Sequence, residues 1–243
     1  MNVLSVKGLC KEYTGFKLQD VSFEITNGTI MGFVGRNGAG KSTTLKAILN
    51  LVHMDAGSVE FFGLDLKYHE RDIKQRIGYT GGAVNFYKKE KINKLIEITK
   101  KFYDNWDDTT CEKYMQMFSL DADKTPSELS EGMKIKLSLV LALSHGAQLL
   151  VLDEPTSGLD PVSRNELLEI FKHLKTKGIS VLFSTHIISD LEKCADEITY
   201  IRNGSIIYTG CLLGFLDKQV SLENAMILYE TEGLYEKFAN ERI

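Results

Sequence analysis

Gly35-Arg36-Asn37-Gly38-Ala39-Gly40-Lys41-Ser42-Thr43 fits the phosphate-loop pattern G-x-x-x-x-G-K-[S/T] through Gly35, Gly40, Lys41 and Ser42. Its surroundings fit as well. Ile30-Met31-Gly32-Phe33-Val34 is a short apolar run of the buried-strand type, and Leu45, Ile48, Leu49 and Val52 recur behind the loop at helical spacing. A strand, a glycine-rich loop and a helix start form the arrangement that holds a nucleotide's phosphates. Glycines let backbone N–H groups turn inward, and the helix N-terminus adds positive potential. Lys41 is placed to reach the β- and γ-phosphates, and the Ser42 hydroxyl to take one position on Mg²⁺. The competing reading is an ordinary glycine turn between strand and helix.

A second constellation lies further along. Leu149-Leu150-Val151-Leu152 reads as a buried parallel strand ending in Asp153-Glu154-Pro155. An acidic pair at the carboxyl end of such a strand lies on the edge where α/β sheets place ligands. Asp153 is suited to Mg²⁺ and Glu154 to polarising an attacking water. Ser180-Val181-Leu182-Phe183-Ser184-Thr185-His186 repeats the design, an apolar strand with a polar group at its end. His186 is either a phosphate contact or a satisfied structural histidine.

The rest of the chain frames these motifs. Val3–Lys7, then Phe16 to Ile25, predict a small antiparallel β-layer ahead of the loop. Tyr13 lies in that layer, as an aromatic for stacking on an adenine or as a half-buried strand residue. Gly57 to Gly63 reads as a strand between turns, and Ile77 to Gly82 as another strand running into a flexible loop. From about Lys88 to Leu120 the chain reads as mostly helical. Leu95, Ile98, Phe102 and Tyr103 form one apolar face and Cys111, Tyr114, Met115 and Phe118 another, with Asn105 or Asp107 capping between them. Asn203-Gly204 between Ile198-Thr199-Tyr200-Ile201 and Ser205-Ile206-Ile207-Tyr208 predicts a hairpin. A tail follows, with Leu222, Ala225, Met226 and Tyr229 as a short helix. The expected fold class is α/β, with a phosphate-loop core on a mostly parallel sheet, an N-terminal antiparallel β-layer and an inserted helical lobe at about 85–145. All of 1–243 is expected to form one domain with a short tail, 211–243.

Composition narrows the function. The 243 residues carry 29 basic and 33 acidic side chains, a formal net charge of −4, which implies no general nucleic-acid affinity. Cys10, Cys111, Cys194 and Cys211 have no metal-type spacing. The N-terminus does not read as a signal peptide. The greasiest stretch, Leu137 to Leu152, is interrupted by Ser138, Ser144, His145 and Gln148 and falls short of the roughly 20 apolar residues of a membrane helix. A membrane role is expected only through a partner chain.

Together the motifs resemble the ATP-binding-cassette (ABC) family. Gly35 to Thr43 matches its phosphate loop and Leu149 to Glu154 its acidic strand. Leu129-Ser130-Glu131-Gly132-Met133 matches the signature usually written LSGGQ, Ser157-Gly158-Leu159-Asp160 the D-loop, His186 the switch histidine and Tyr13 the adenine-stacking aromatic. The match runs from Val3 to Gly210. Ser130 and Gly132 are expected at the N-terminus of a helix beginning near Met133, where unpaired N–H groups suit a γ-phosphate. The resemblance implies that Ser130, Gly132 and Asp160 act in trans on ATP held by a second cassette, identical or different. It also implies Mg·ATP hydrolysis with Lys41, Glu154 and His186 as the catalytic groups. A separate transmembrane permease chain would then hold the cassette on the inner, cytoplasmic face of the cell membrane.

Three departures stand out. Gly82 occupies the register of the family's glutamine after the Ile-Gly-Tyr strand, with Asn85 or water as a substitute Mg²⁺ contact. Glu131 replaces the first glycine of the signature, and its charge must point away from a phosphate. Met133 replaces the usual glutamine. Similar variants occur in bacterial exporters with separate nucleotide-binding and membrane chains. Export of a drug, peptide or lipid-like compound is the expected role. An importer ATPase, or a soluble ABC ATPase such as the iron–sulfur assembly type, is the alternative.

Overall fold

The chain is described from a computed structural model that covers residues 1–81, 87, 89–216, 222–224 and 226–227. It opens with strands β1 (Asn2–Tyr13), β2 (Phe16–Thr26) and β3 (Ile30–Val34), then helix α1 (Lys41–Ile48). Next come β4 (Ala56–Phe61), β5 (Leu64–Asp65), α2 (Leu66–Lys74) and β6 (Ile77–Thr80). A helical block follows: α3 (Ile92–Lys100), α4 (Asp108–Met117), a 3-10 turn at Pro126–Glu128 and α5 (Glu131–Ser144). The chain then alternates β7 (Leu149–Leu152), α6 (Pro161–Thr176), β8 (Ser180–Thr185) and α7 (Ile188–Cys194). It continues with β9 (Glu197–Arg202), β10 (Ser205–Cys211) and α8 (Leu212–Leu216). Among the described residues no helix is long and apolar enough to cross a membrane.

Two sheets result. The antiparallel layer has the order β2-β1-β4-β5, so the strand after Gly57 joins the N-terminal layer. The six-stranded sheet has the order β10-β9-β3-β8-β7-β6 and is parallel from β9 to β6, with β10 as an antiparallel edge. Every residue of β3, β7 and β8 is buried, as expected for parallel strands covered on both faces. The two-residue pleat sorts these uniformly apolar runs into two cores. Ile30 and Val34 of β3, Leu150 and Leu152 of β7, and Val181 and Phe183 of β8 pack with α5 and α6. Met31, Phe33, Leu149, Val151 and Leu182 face the antiparallel layer and α1.

The helical block differs from its sequence pattern at one end. α3 stops at Lys100, so Phe102 falls outside the helix and is 71% exposed, while Tyr103 stacks on the His145 ring at 3.6 Å. A face continued past the helix end loses its phase. Asp107, not Asn105, caps α4, its carboxylate accepting from the Thr109 and Thr110 N–H groups. α2 carries an isolated buried pair, Leu66 and Ile73, too sparse a pattern to announce a helix. In the tail, Leu222 and Met226 are helical, and Ala225 and Tyr229 lie outside the described residues.

The β9–β10 hairpin has a functional consequence. Asn203 (φ 49°) and Gly204 (φ 80°) both take left-handed backbone, as a type I′ turn demands. The turn is wedged between the two sheets: the Gly204 N–H donates to the Ala39 carbonyl at 2.9 Å, and its carbonyl accepts from the Gln19 N–H at 2.8 Å. A Cβ on Gly204 would lie 1.8 Å from the Lys17 carbonyl oxygen. The hairpin therefore braces the phosphate loop from behind. Gly204→Ala should lower stability by about 2 kcal/mol or more, read from the urea midpoint. A change within about 0.5 kcal/mol, the range of an unconstrained surface site, would show that the brace yields freely.

Candidate functional site

The strand order sets the site. β8 lies between β3 and β7, with Val34 beside Thr185 and Leu152 beside Phe183. The residues that follow these three carboxyl ends therefore converge: Gly35 onward from β3, His186 from β8, Asp153 and Glu154 from β7. A cleft of about 720 Å³ opens there, lined by Phe16, Arg36, Asn37, Gly38, Gly40, Lys41, Ser42, Thr43, Glu154, Ser157 and His186.

The loop is shaped by backbone constraint. Gly38 (φ 81°) and Gly40 (φ 113°) take left-handed conformations. A Cβ on Gly40 would come within 2.7 Å of Leu18 Cδ2, and one on Gly35 within 2.3 Å of the Ile201 carbonyl oxygen. Gly35 and Ala39 thus form the back of the loop, away from the cleft surface. Gly40 is also the N-cap of α1 and supplies no side-chain acceptor. The first-turn N–H groups keep their positive end open, which is the requirement for binding an anion.

Four charged or ionisable side chains meet at the cleft. Lys41, 5% exposed, donates to the Gly35 carbonyl at 2.8 Å and the Arg36 carbonyl at 3.3 Å, and lies 3.1 Å from Glu154 Oε1. The other Glu154 oxygen, Oε2, lies 2.6 Å from His186 Nδ1. Glu154 thus bridges the lysine and the histidine. It does so from a left-handed backbone, φ 52°, an uncommon conformation for a residue with a side chain. Asp153 is buried, and its Oδ1 accepts from Ser42 Oγ at 3.0 Å and Ser184 Oγ at 2.6 Å.

The Ser42 hydroxyl and the Asp153 carboxylate are hard oxygen donors side by side. Among the described residues no group of three or more His, Cys, Asp or Glu side chains gathers to hold a metal. A two-oxygen protein contribution fits Mg²⁺, which takes few protein ligands and fills its shell with water and phosphate. Asn85 and Gly82 lie outside the described residues.

Tyr13 and Phe16 are cross-strand partners at the end of the β1–β2 pair. Phe16 lines the cleft, while Tyr13 is 43% exposed beside Lys11 and is not among the lining residues. Loop position alone did not single out Phe16. The cleft also includes Ser157, which the sequence placed only in the D-loop. Tyr79, at the end of β6, has its phenol pKa pushed up by burial and by the Asp153 charge. Asp190, fully buried on the helix after His186, faces Thr156 and Arg164, and burial pushes its carboxyl up.

The signature residues form a separate group. α5 starts at Glu131, two residues before the expected start, because Ser130 caps it: its Oγ accepts from the Met133 N–H at 3.3 Å. Glu131 pairs with Lys134 at 2.6 Å, so the charge that replaces the usual glycine is partnered within its own helix. Gly132 faces the start of α6, where a Cβ would meet Ser163 Cβ at 3.4 Å. Asp160 caps α6, accepting from the Val162 and Ser163 N–H groups. The Ser163 hydroxyl and N–H hold its carboxyl below the usual range. Ser130, Gly132 and Asp160 do not line the cleft of their own chain.

A phosphate loop on a parallel sheet, faced by an acidic pair and a histidine, defines a phosphate-loop ATPase of the α/β class. Residues 18–157 match the ABC transporter family, more than half of the 243 residues, and the chain belongs to that family. It is 33% identical over 206 residues to the ABC transporter ATP-binding protein YtrB of Bacillus subtilis, covering 84% of this chain and 70% of that protein. It is 32% identical over 238 residues to the lantibiotic transport ATP-binding protein SrtF of Streptococcus pyogenes, covering 97% and 99%. The solved structure of an ATP-binding subunit of an ABC transporter superposes with a TM-score of 0.83 at 28% identity, covering 93% of this chain and 98% of that one. The chain is an ATP-binding, ATP-hydrolysing cassette of the ABC transporter family, and the relatives it matches are bacterial transport ATP-binding proteins.

Lys41→Ala should weaken ATP binding about 10- to 100-fold, the loss of a charge-assisted hydrogen bond of about 1.5–3 kcal/mol. Titration with a fluorescent ATP analogue reads this directly. Affinity within twofold of the parent would place the phosphates elsewhere.

Proposed function

We propose that the whole chain is one cassette, with the helical block at about 85–145 as its inserted lobe. In this reading it powers export of a drug, peptide or lipid-like compound by closing on a second cassette around ATP. The observation that carries it is the separation of two helix N-termini suited to phosphate. One lies in the cleft of Lys41, Ser42, Glu154 and His186. The other is the N-terminus of α5 with Ser130 and Gly132, which does not line that cleft. A single chain leaves the second surface unused. Two chains related by a two-fold axis use both, because each supplies its signature to the other's nucleotide.

The charges suggest how the residues divide the work. A triphosphate entering the cleft competes with Glu154 for the Lys41 ammonium, and the α1 N-terminus and the loop N–H groups cradle it. Arg36, Asn37, Gly38 and Thr43 line this cradle with Ala39 behind them, and Tyr13 with Phe16 flanks the adenine side. Ser42 and Asp153 would hold Mg²⁺, which supplies charge neutralisation on the phosphates. Glu154, released from Lys41, orients or deprotonates the attacking water, and His186 fixes the carboxylate through its Nδ1 contact. In trans, the Ser130 hydroxyl, whose oxygen accepts from Met133, keeps its own proton to donate to a γ-phosphate. Asp160 shapes the facing loop. ATP biases the equilibrium toward the closed pair because it binds that state better.

The SrtF relative is named for lantibiotic transport and matches almost end to end, which supports export of a peptide-like cargo. A separate membrane-spanning chain would then hold this cassette on the cytoplasmic face of the cell membrane. No nucleic-acid partner enters this reading.

Glu154→Gln should bind ATP and turn it over slowly, accumulating a dimer with Mg·ATP that light scattering detects at twice the monomer mass. A strict monomer at saturating Mg·ATP would argue against self-pairing. Native turnover would move the water-orienting role to another group.

A further inference from the structure

Ser184 is the last residue but one of β8, fully buried, and two residues before His186. Its hydroxyl has two partners, both in the acidic segment of the neighbouring strand. It donates to Asp153 Oδ1 at 2.6 Å and accepts from the Glu154 backbone N–H at 2.8 Å. One proton and one lone pair are thereby assigned, and the direction of each bond follows from the other, since a backbone N–H can only donate.

The need for this hydroxyl follows from where the ladder stops. β7 pairs with β8 as far as Leu152 opposite Phe183. Beyond that point the chain leaves the sheet: Asp153 N–H still reaches the Thr80 carbonyl at 2.9 Å, but Glu154 turns left-handed at φ 52°. Its N–H faces the protein interior with no strand carbonyl to receive it, and a buried N–H without an acceptor is costly. Ser184 Oγ takes the place of that carbonyl. On the other side of the turn, the Glu154 carbonyl accepts from the Ser157 N–H at 3.1 Å. The unusual backbone of Glu154 is thus held at both ends, and its side chain is aimed between Lys41 and His186. An apolar β-branched residue at position 184 would fill the strand equally well, but it would leave the Glu154 N–H unmet and Asp153 Oδ1 with Ser42 as its remaining donor.

We propose that Ser184 is a positioning residue for the ATPase reaction. Its hydroxyl locks the left-handed turn at Glu154 and aligns Asp153 with Ser42. The proposal rests on the reading of Glu154 as the group that orients water. It differs from a packing role because the hydroxyl, not the volume, is what the acidic segment requires.

The test compares Ser184→Ala, Ser184→Thr and Ser184→Val in the purified chain. Thr and Val have nearly the same shape and differ in the hydroxyl. Ser184→Ala should lower kcat about tenfold or more, with KM for ATP and the equilibrium affinity for a fluorescent ATP analogue within twofold of the parent. Ser184→Thr should recover most of the loss and Ser184→Val should not, which keeps the comparison decisive if the added methyl costs stability in both. Hydrogen exchange supplies a readout independent of turnover: the Glu154 amide should exchange faster in Ser184→Ala. In a Glu154→Gln background, Ser184→Ala should bring a smaller loss than it does alone, because the part that acts through the Glu154 carboxylate is already gone. A Ser184→Ala enzyme with native kcat overturns the proposal, as does a Thr variant no faster than Val. Native turnover in Glu154→Gln alone would sink the underlying role of Glu154. A slow Glu154→Gln with a fast Ser184→Ala would sink only the role of Ser184.

Discussion

Three parallel strands, β3, β8 and β7, end side by side, and the site exists because of that pairing. Ser42 of the phosphate loop lies 111 residues before Asp153, and His186 lies 32 residues after Glu154. Parallel pairing in this order brings the strands' first residues beyond the sheet to a common edge. The hydrogen bonds among them follow from the same edge. Ser42 from the loop and Ser184 from the middle strand both reach the Asp153 carboxylate, and His186 reaches Glu154. A change of strand order would leave every motif intact and the site dispersed.

The two helix N-termini proposed to face phosphates are built differently. α1 begins at a glycine with no side chain to cap it, inside a loop where Gly35 and Gly40 sit too close to neighbours for a Cβ. α5 begins at Ser130, whose hydroxyl caps its own helix. The first is an enclosed cradle braced from behind by the Asn203-Gly204 turn. The second is presented on the surface with its neighbouring acidic side chain, Glu131, paired to Lys134. That pairing answers the difficulty the sequence raised, a carboxylate beside a phosphate contact, without removing the charge.

Much of the architecture was legible beforehand because its causes are local. The short, uniformly apolar runs at Ile30, Leu149 and Val181 suit strands covered on both faces, and Asn-Gly between alternating segments suits a tight hairpin turn. The errors arose where local pattern was ambiguous. Phe102 continued an apolar face by spacing but lies past the helix end, exposed. The apolar pattern of α5 begins near Met133, two residues after the helix starts at Glu131 behind its Ser130 cap. α2 was not anticipated, with its two buried residues a full turn and more apart. At the cleft mouth Phe16, the cross-strand partner of Tyr13, joins the lining, a residue that no motif singles out.

Residue types and spacing were sufficient to name the chemistry: a lysine and glycines for phosphate, paired carboxylates at a strand end, a histidine at another. Those are properties of short segments, and short segments carry them wherever they fold. Which segments meet is a long-range matter of strand order, and no local pattern encodes it. Only the folded sheet puts β8 between β3 and β7, sets Glu154 between Lys41 and His186, and turns Ser184 from an ordinary strand residue into the partner of both acidic residues.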